Sequence, residues 1–204
     1  MNKGTFFVLS GPSGSGKGTV LKEVLNKNSD IEYSVSATTR LPRGNEIEGK
    51  NYFFKTRDEF EKLIKQDAFL EYTETFGNYY GTLRKQVDLA IERGHSIILE
   101  IDSVGARNIR FSYPDAVLMF LVAPSLTVLK ARLTGRGTEK DDDVKLRLAN
   151  AIDEMEYAPL YDYIIINDNV GKASEDVLAI IKAVGLKTEN NIENLTKIKG
   201  GISL

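Results

Sequence analysis

The sequence contains no cysteine and a single histidine, His95. Without cysteine, disulfide bridges, zinc–thiolate sites and thiol nucleophiles are excluded, and the absence fits a reducing compartment. One histidine also excludes a metal site built from several histidines. His95 follows Arg93 and Gly94 at the end of a predicted helix, which favours a surface turn over a catalytic base.

Long apolar runs and a strong net charge are missing as well. The longest apolar run, residues 116–123, is far shorter than the roughly 20 residues that span a bilayer. The apolar stretch at residues 6–9 is too short for a signal peptide and leads into a glycine-rich loop. The 27 Lys and Arg residues nearly balance 29 Asp and Glu, giving a net charge of −2. We therefore expect a cytoplasmic protein with neither nucleic acid nor membrane as partner, while monomer and homo-oligomer stay open.

The composition is that of a globular protein with one domain. With 204 residues, 42% of them hydrophobic and 27% charged, the chain can form a sizeable core. Short apolar runs bounded by turn residues predict four buried parallel strands, at residues 5–10, 96–101, 116–122 and 163–167. Helical patterns occur at residues 16–26, 83–93, 125–133, 141–157 and 173–184. This alternation predicts an α/β fold, with a parallel sheet flanked by helices.

Two stretches depart from the alternation. Short strand-like pieces at residues 34–37, 51–54 and 68–73 surround a helical pattern at 57–65, which predicts a small α+β insertion. The charged stretch 135–143 joins two helices and is a candidate mobile lid. The predicted parts of the single domain 1–204 are a core (1–31, 83–124 and 159–186), an insertion (32–82), a lid (about 125–158) and a tail (187–204), the last a frayed helix or disordered.

The clearest motif lies between the first predicted strand and the first predicted helix. It consists of Gly11, Pro12, Ser13, Gly14, Ser15, Gly16, Lys17, Gly18 and Thr19, and follows the phosphate-loop pattern G-x-x-x-x-G-K-[ST] as far as the lysine. Glycines let successive N–H groups surround an anion, the helix N-terminus adds partial positive charge, and Lys17 supplies a cation to β- and γ-phosphates. Because Gly18 replaces the usual Ser or Thr, the hydroxyl that contacts Mg²⁺ moves to Thr19. We expect Mg²⁺ to be held mainly by nucleotide phosphates and water, with Thr19 as the candidate protein ligand.

The insertion carries residues suited to a second phosphate and to a base. Arg40 and Arg43 lie on either side of a proline turn, and arginine forks bind phosphate through two bonds, although a solvated loop explains them equally well. Glu71 lies in a mostly apolar strand pattern, where alternation alone favours a solvent-facing side chain. The acidic run 141–143 favours helix N-terminal charges over a metal site.

Together these segments resemble the guanylate kinase family. The resemblance is carried by the loop 11–19, Ser36-x-x-x-Arg40-x-x-Arg43, Gly49-Lys-Asn-Tyr52, Phe69-x-Glu71, Gly77-Asn-Tyr-Tyr80-Gly81-Thr82, Glu100-x-Asp102 and Arg132-x-x-x-Arg136-Gly-Thr. The segments occur in family order between about residues 5 and 184, and the set is specific although no single segment is. It implies a P-loop NTPase-type sheet with a monophosphate-binding insertion and a helical lid.

The resemblance implies a role for each matching residue. The guanine base would be surrounded by Ser36, Glu71, Thr82 and Asp102. The GMP phosphate would be held by Arg40, Arg43, Tyr52 and Tyr80. The loop would bind the ATP phosphates, with Asn167 near the adenine. The transferring group would be stabilised by Lys17, Arg40, Arg132, Arg136 and Arg147. Glu100 stands where aspartate is common, so that its place in the GMP site or the magnesium shell is left open.

The implied activity is the Mg²⁺-assisted transfer of a phosphoryl group from ATP to GMP or dGMP, within purine nucleotide metabolism. A carboxylate such as Glu71 accepts from both donors on the Watson–Crick edge of guanine, whereas adenine presents a lone pair there. Two alternatives stay open. An adenylate kinase shares the loop but does not require Glu71 together with Thr82. A non-catalytic guanylate-kinase-like interaction module typically lacks phosphate-binding residues that are present here.

Overall fold

The computed structural model describes residues 4–75, 77–134 and 141–200, without the side chains of residues 141–144, 193 and 194. The strands are β1 (Phe6–Ser10), β2 (Ile31–Tyr33), β3 (Ala37–Thr38), β4 (Phe53–Phe54), β5 (Phe69–Thr75), β6 (Asn78–Leu83), β7 (Ser96–Glu100), β8 (Val117–Val122) and β9 (Tyr163–Ile166). The helices are α1 (Lys17–Lys27), α2 (Arg57–Lys65), α3 (Arg84–Glu92), α4 (Ser103–Ser112), α5 (Leu126–Thr134), α6 (Asp141–Met155), α7 (Val170–Gly185) and α8 (Thr188–Gly200).

Five strands form a parallel central sheet in the order β2-β7-β1-β8-β9. The middle strands are buried on both faces, which explains their continuous apolar runs. One face packs against α1 and α7, through residues such as Val24 and Val177. The other face packs against α3 and α4, through Val87 and Ile109. The predicted α/β fold with a flanked parallel sheet is confirmed.

A second, mixed sheet is built from the residues between β2 and α3. Its order is β4-β3-β6-β5, and α2 packs on it by inserting Phe60 against Phe69 with ring centroids 4.3 Å apart. The helix α2 begins at a capping box formed by Thr56 and Glu59. Strand β6 has no predicted counterpart, because its sequence NYYGTL lacks an apolar alternation. It nevertheless pairs with β5 along its whole length.

The remaining helices are α4, the packed pair α5 and α6, and α8 in the tail. Leu129 and Leu133 of α5 pack against Ala151 of α6. The prediction missed α4, which begins at Asp102, an N-cap that accepts a hydrogen bond from the N–H of Gly105 at 2.8 Å. The tail forms α8, and several of its apolar side chains are exposed. None of the helices in the described ranges combines the length and apolar character required to cross a membrane.

Candidate active site

The phosphate loop joins β1 to α1 at the carboxyl edge of the central sheet. Its backbone has positive φ at Gly11 (141°), Gly14 (84°) and Gly16 (93°), a conformation that side chains rarely adopt. A Cβ on Gly11 would also collide with the backbone carbonyl of Leu121. The first N–H groups of α1 have no acceptor within the helix, so they are available to an anion. The loop therefore has the backbone shape of a phosphate cradle.

The side chain of Lys17 folds over this loop. Its Nζ donates to the carbonyl oxygen of Gly11 at 2.5 Å and to that of Pro12 at 3.3 Å. Burial lowers the pKa of Lys17, while the carboxylates of Glu100, Glu154 and Asp102 raise it in opposition. The loop thus holds a cation that several acidic groups surround.

Two predicted arginines contact the loop from different sides. Arg147 of α6 donates to the Ser13 hydroxyl at 2.8 Å, which joins α6 to the side of the loop that faces the cavity described below, here called the front. Arg132 of α5 donates to the carbonyl oxygen of Asn167 at 2.9 Å and to that of Ser15 at 3.4 Å. Arg132 does not line this cavity, so we call the side of the loop on which it lies the back of the loop. Arg136 lies outside the described residues.

Asn167 also lies behind the loop. Its side chain is 1% exposed, and its Nδ2 donates to the carbonyl oxygen of Ser15 at 2.8 Å. The structure places this residue against the loop backbone, a position that its spacing in the sequence did not indicate.

An open cavity of about 790 Å³ adjoins the loop. Most of the residues that were predicted to bind the acceptor nucleotide line it, and Lys17 and Arg147 line it as well. The predicted residues in its wall are Ser13, Lys17, Ser36, Arg43, Tyr52, Glu71, Tyr80, Glu100, Asp102 and Arg147. Side chains that the sequence separates by more than a hundred positions therefore face one space.

Glu71 lies in the wall of this cavity and is paired with the buried Thr82. The Thr82 hydroxyl donates to Glu71 Oε1 at 2.6 Å, and Glu71 is only 6% exposed. The alternation argument that turned Glu71 toward solvent is wrong, because the pairing of β5 with β6 shifts register between Phe69 and Glu71. Burial raises the pKa of Glu71 to about 7, against the lowering effect of the Thr82 hydrogen bond.

Gly105 of α4 makes room for the Glu71 carboxylate. A Cβ on Gly105 would lie 2.8 Å from Glu71 Oε2, so any larger residue would displace this oxygen. This glycine was not predicted to belong to the site, and its only signal in the sequence is its position three residues after Asp102. Asp102 uses one carboxylate oxygen to cap α4 and lines the cavity beside Glu71.

Arg40 belongs to a polar cluster at the mouth of the insertion. Its guanidinium makes two hydrogen bonds of 2.9 Å to Glu46 and lies 5.2 Å from the ring centroid of Tyr52. The rings of Tyr52 and Tyr80 meet edge to face, with centroids 6.2 Å apart. Glu46 also accepts from the backbone N–H of Arg43 at 2.8 Å. Glu46 was not predicted to belong to the site, although an acidic residue three positions after Arg43 is a signal in the sequence.

Glu100 and Thr19 lie near the start of α1. The Glu100 carboxylate faces Gly18, where an added Cβ would lie 3.4 Å from Oε2, and burial raises the pKa of Glu100. Thr19 is exposed. Glu154 of α6 accepts from the Ser103 hydroxyl at 3.0 Å, which connects α6 to the first residue of α4. Glu154 and Ser103 were not predicted to belong to the site, because their contact depends on the packing of α6 over the sheet edge.

Comparisons with known proteins match this chain over nearly its whole length. The guanylate kinase family model matches residues 3–184. A guanylate kinase from Caldanaerobacter subterraneus subsp. tengcongensis is 41% identical over 197 residues, covering 97% of this chain and 96% of the relative. One from Carboxydothermus hydrogenoformans is 43% identical over 202 residues, covering 99% and 98%. The crystal structure of guanylate kinase from Anaplasma phagocytophilum is 30% identical, with a TM-score of 0.80 over 100% of this chain and 98% of that one. Because the family model matches, the relatives align over nearly their full length and a solved guanylate kinase has the same overall fold, the chain belongs to the guanylate kinase family of nucleoside monophosphate kinases.

Proposed function

We propose that this protein transfers the γ-phosphoryl group of ATP to GMP, and to dGMP, in the purine nucleotide metabolism of the cytoplasm. The observation that carries the proposal is that Lys17 of the phosphate loop and Glu71 of the insertion line the same cavity. A donor site and an acceptor site that open onto one space can bring two nucleotides together without a covalent intermediate.

Glu71 supports guanine as the acceptor base. Guanine presents N1–H and N2–H₂ donors side by side, and an ionised carboxylate accepts from both. Adenine lacks the N2 amine and presents the N1 lone pair to the same oxygens, which would leave a buried polar group without a partner. The Thr82 hydroxyl already donates to Glu71 Oε1, so it fixes the carboxylate plane.

The arginine and tyrosine cluster supports a phosphate on the acceptor. Arg40, Arg43, Tyr52 and Tyr80 supply two guanidinium groups and two hydroxyls within the insertion. Because the proposed contacts involve the base and the phosphate, which GMP and dGMP share, we extend the proposal to both.

The chemistry requires alignment and charge stabilisation more than proton transfer. The attacking phosphate oxygen of GMP is ionised near neutral pH, so the residues need only hold it in line with the γ-phosphorus. Lys17 would stabilise the charge on the transferring group, and Arg147 would reach it from α6. Closure of the insertion and of α5–α6 over both nucleotides would exclude water and prevent ATP hydrolysis.

The residues near the loop fit a hydrated Mg²⁺. Mg²⁺ prefers oxygen ligands and keeps several waters, and the oxygens here are the exposed Thr19 hydroxyl and the Glu100 carboxylate beside Gly18. When bound with ATP, Mg²⁺ neutralises charge on the β- and γ-phosphates. Thr19 and Glu100 would hold its water shell, since Gly18 offers no hydroxyl.

A substrate panel tests the proposal. With ATP as donor, we expect GMP and dGMP to be phosphorylated with a kcat/KM at least about 10³ times that for AMP, CMP and UMP, because only guanine satisfies Glu71. A coupled assay of ADP formation measures these values. Preferential turnover of AMP would overturn the assignment, and binding of GMP without any turnover would indicate the non-catalytic module.

The raised pKa of Glu71 predicts a pH dependence of GMP binding. GMP pairs with the ionised carboxylate, while a pKa of about 7 means that the free protein is protonated at Glu71 below neutral pH. We therefore expect the Kd for GMP to rise as pH falls through 7 and to approach about tenfold per pH unit below it. Isothermal titration calorimetry against pH measures this rise.

The GMP phosphate also titrates in this range, so the Glu71→Gln variant serves as the control. The variant keeps the part of the pH dependence that comes from the GMP phosphate, and it should lose the part that comes from Glu71. An identical pH profile in the variant and the original protein would refute the assignment of the slope to Glu71.

A further inference from the structure

Two side chains at the back of the phosphate loop hold the carbonyl oxygen of Ser15 in place. This oxygen accepts from Asn167 Nδ2 at 2.8 Å and from Arg132 Nη1 at 3.4 Å. Asn167 follows β9, while Arg132 belongs to α5, so two elements converge on one peptide group. The Asn167 side chain is 1% exposed, which keeps water from competing for the Ser15 oxygen.

The orientation of the Asn167 amide follows from these contacts. Exchanging its oxygen and nitrogen would place Oδ1 against the Ser15 carbonyl oxygen, two acceptors in contact. The Oδ1 atom is buried and accepts no hydrogen bond from the described residues. Only the nitrogen end of the amide has a defined polar contact, and that contact is with the loop.

Because a peptide unit is planar, the contact that holds the Ser15 carbonyl oxygen also fixes the direction of the Gly16 N–H group. In a trans peptide the C=O and N–H groups point in opposite directions across one plane. Fixing the Ser15 oxygen behind the loop therefore directs the Gly16 N–H to the front, where α1 begins. Gly16 adopts φ 93°, and a Cβ there would lie 2.5 Å from Asn167 Nδ2, so the glycine also permits the close approach.

We infer that Asn167 is a positioning residue that fixes the Ser15–Gly16 peptide so that the Gly16 N–H faces the nucleotide polyphosphate. The inference rests on the proposed use of this loop for ATP. It assigns Asn167 a role toward the phosphates, through the loop backbone.

Inorganic tripolyphosphate separates these two roles because it has no base. In Asn167→Ala, we expect the Kd values for ATP and for tripolyphosphate to rise by the same factor, about tenfold for one lost buried hydrogen bond. The KM for GMP should change by less than about twofold. Calorimetry on the full chain measures the binding, and initial rates measure the KM values.

Asn169→Ala is the matched control. Asn169 lies two residues further along and caps α7 by accepting from the Lys172 N–H at 3.1 Å, so its removal tests the loss of a local asparagine away from the loop. We expect a lower melting temperature with unchanged binding of ATP and tripolyphosphate.

A second variant covers the case in which Asn167→Ala does not fold. Asn167→Asp keeps the shape but replaces the donor with a carboxylate, which repels the Ser15 carbonyl when ionised. When protonated, the new side chain can donate to the same oxygen. The weakening of tripolyphosphate binding relative to the original protein should therefore diminish as pH falls from about 8 to about 5.

Four outcomes would overturn the inference. They are loss of ATP binding with tripolyphosphate unaffected, unchanged binding of both, equal loss of GMP binding, and a pH-independent defect in Asn167→Asp. Failure of the original protein to bind either polyphosphate would overturn both the inference and the proposed function. A base-selective loss would leave the proposed function intact.

Discussion

Replacing Lys17 with methionine is expected to lower kcat by about 10³-fold or more, which corresponds to about 4 kcal/mol of lost transition-state stabilisation. Methionine has a similar length and no charge, so the phosphate loop keeps its shape and loses its cation. The variant also leaves Glu100, Glu154 and Asp102 without the ammonium group that faces them, and these carboxylates would then repel the nucleotide phosphates.

Initial rates at saturating ATP and GMP measure this effect, and Lys22→Met provides the matched control. Lys22 lies on the same helix but is exposed to solvent. Its replacement should leave kcat within about twofold. A kcat for Lys17→Met within tenfold of the original value would refute the placement of the transferring phosphoryl group beside this lysine.

Replacing Glu71 with glutamine is expected to lower kcat/KM for GMP by about 10²–10³-fold, or about 3–4 kcal/mol, while the KM for ATP changes less than threefold. The amide offers one acceptor in place of two, and its NH₂ group faces the donors of guanine. Because the site is buried, the mismatched groups cannot turn to water, which makes the loss large.

Comparison of GMP with IMP sharpens this test, since IMP lacks the N2 amine. The original protein should prefer GMP strongly, and Glu71→Gln should reduce the preference. Glu74→Gln, an exposed change on the same strand, should leave the preference unaltered. An equal rise of KM for ATP and GMP in Glu71→Gln would show that Glu71 does not recognise the base.

Features that depend on residues adjacent in the sequence are predicted better than features that depend on tertiary packing. The phosphate loop is a continuous segment whose glycines define its own backbone, and the structure shows the predicted strand, loop and helix in that order. The central strands are predictable for a similar reason, because burial on both faces leaves an uninterrupted apolar run.

The acceptor side depends on contacts that no single segment contains. The burial of Glu71 requires a register shift between β5 and β6, and its close approach to α4 requires Gly105 in a helix that was not predicted. The position of Asn167 depends on where β9 ends relative to a loop about 150 positions earlier in the chain. Spacing along the sequence contains no measure of such distances, so these contacts require the structure.

The order of strands in the central sheet has a consequence for folding. The phosphate loop follows β1, which pairs with β7 through Val8 and Leu99 and with β8 through Val8 and Leu118. These partners are separated by roughly ninety or more residues, and such long-range pairings close late because of their entropic cost. A partly folded chain would therefore lack the nucleotide cleft, and ATP would stabilise only the fully assembled molecule. Protection of the chain from proteolysis by nucleotide would accordingly report complete folding.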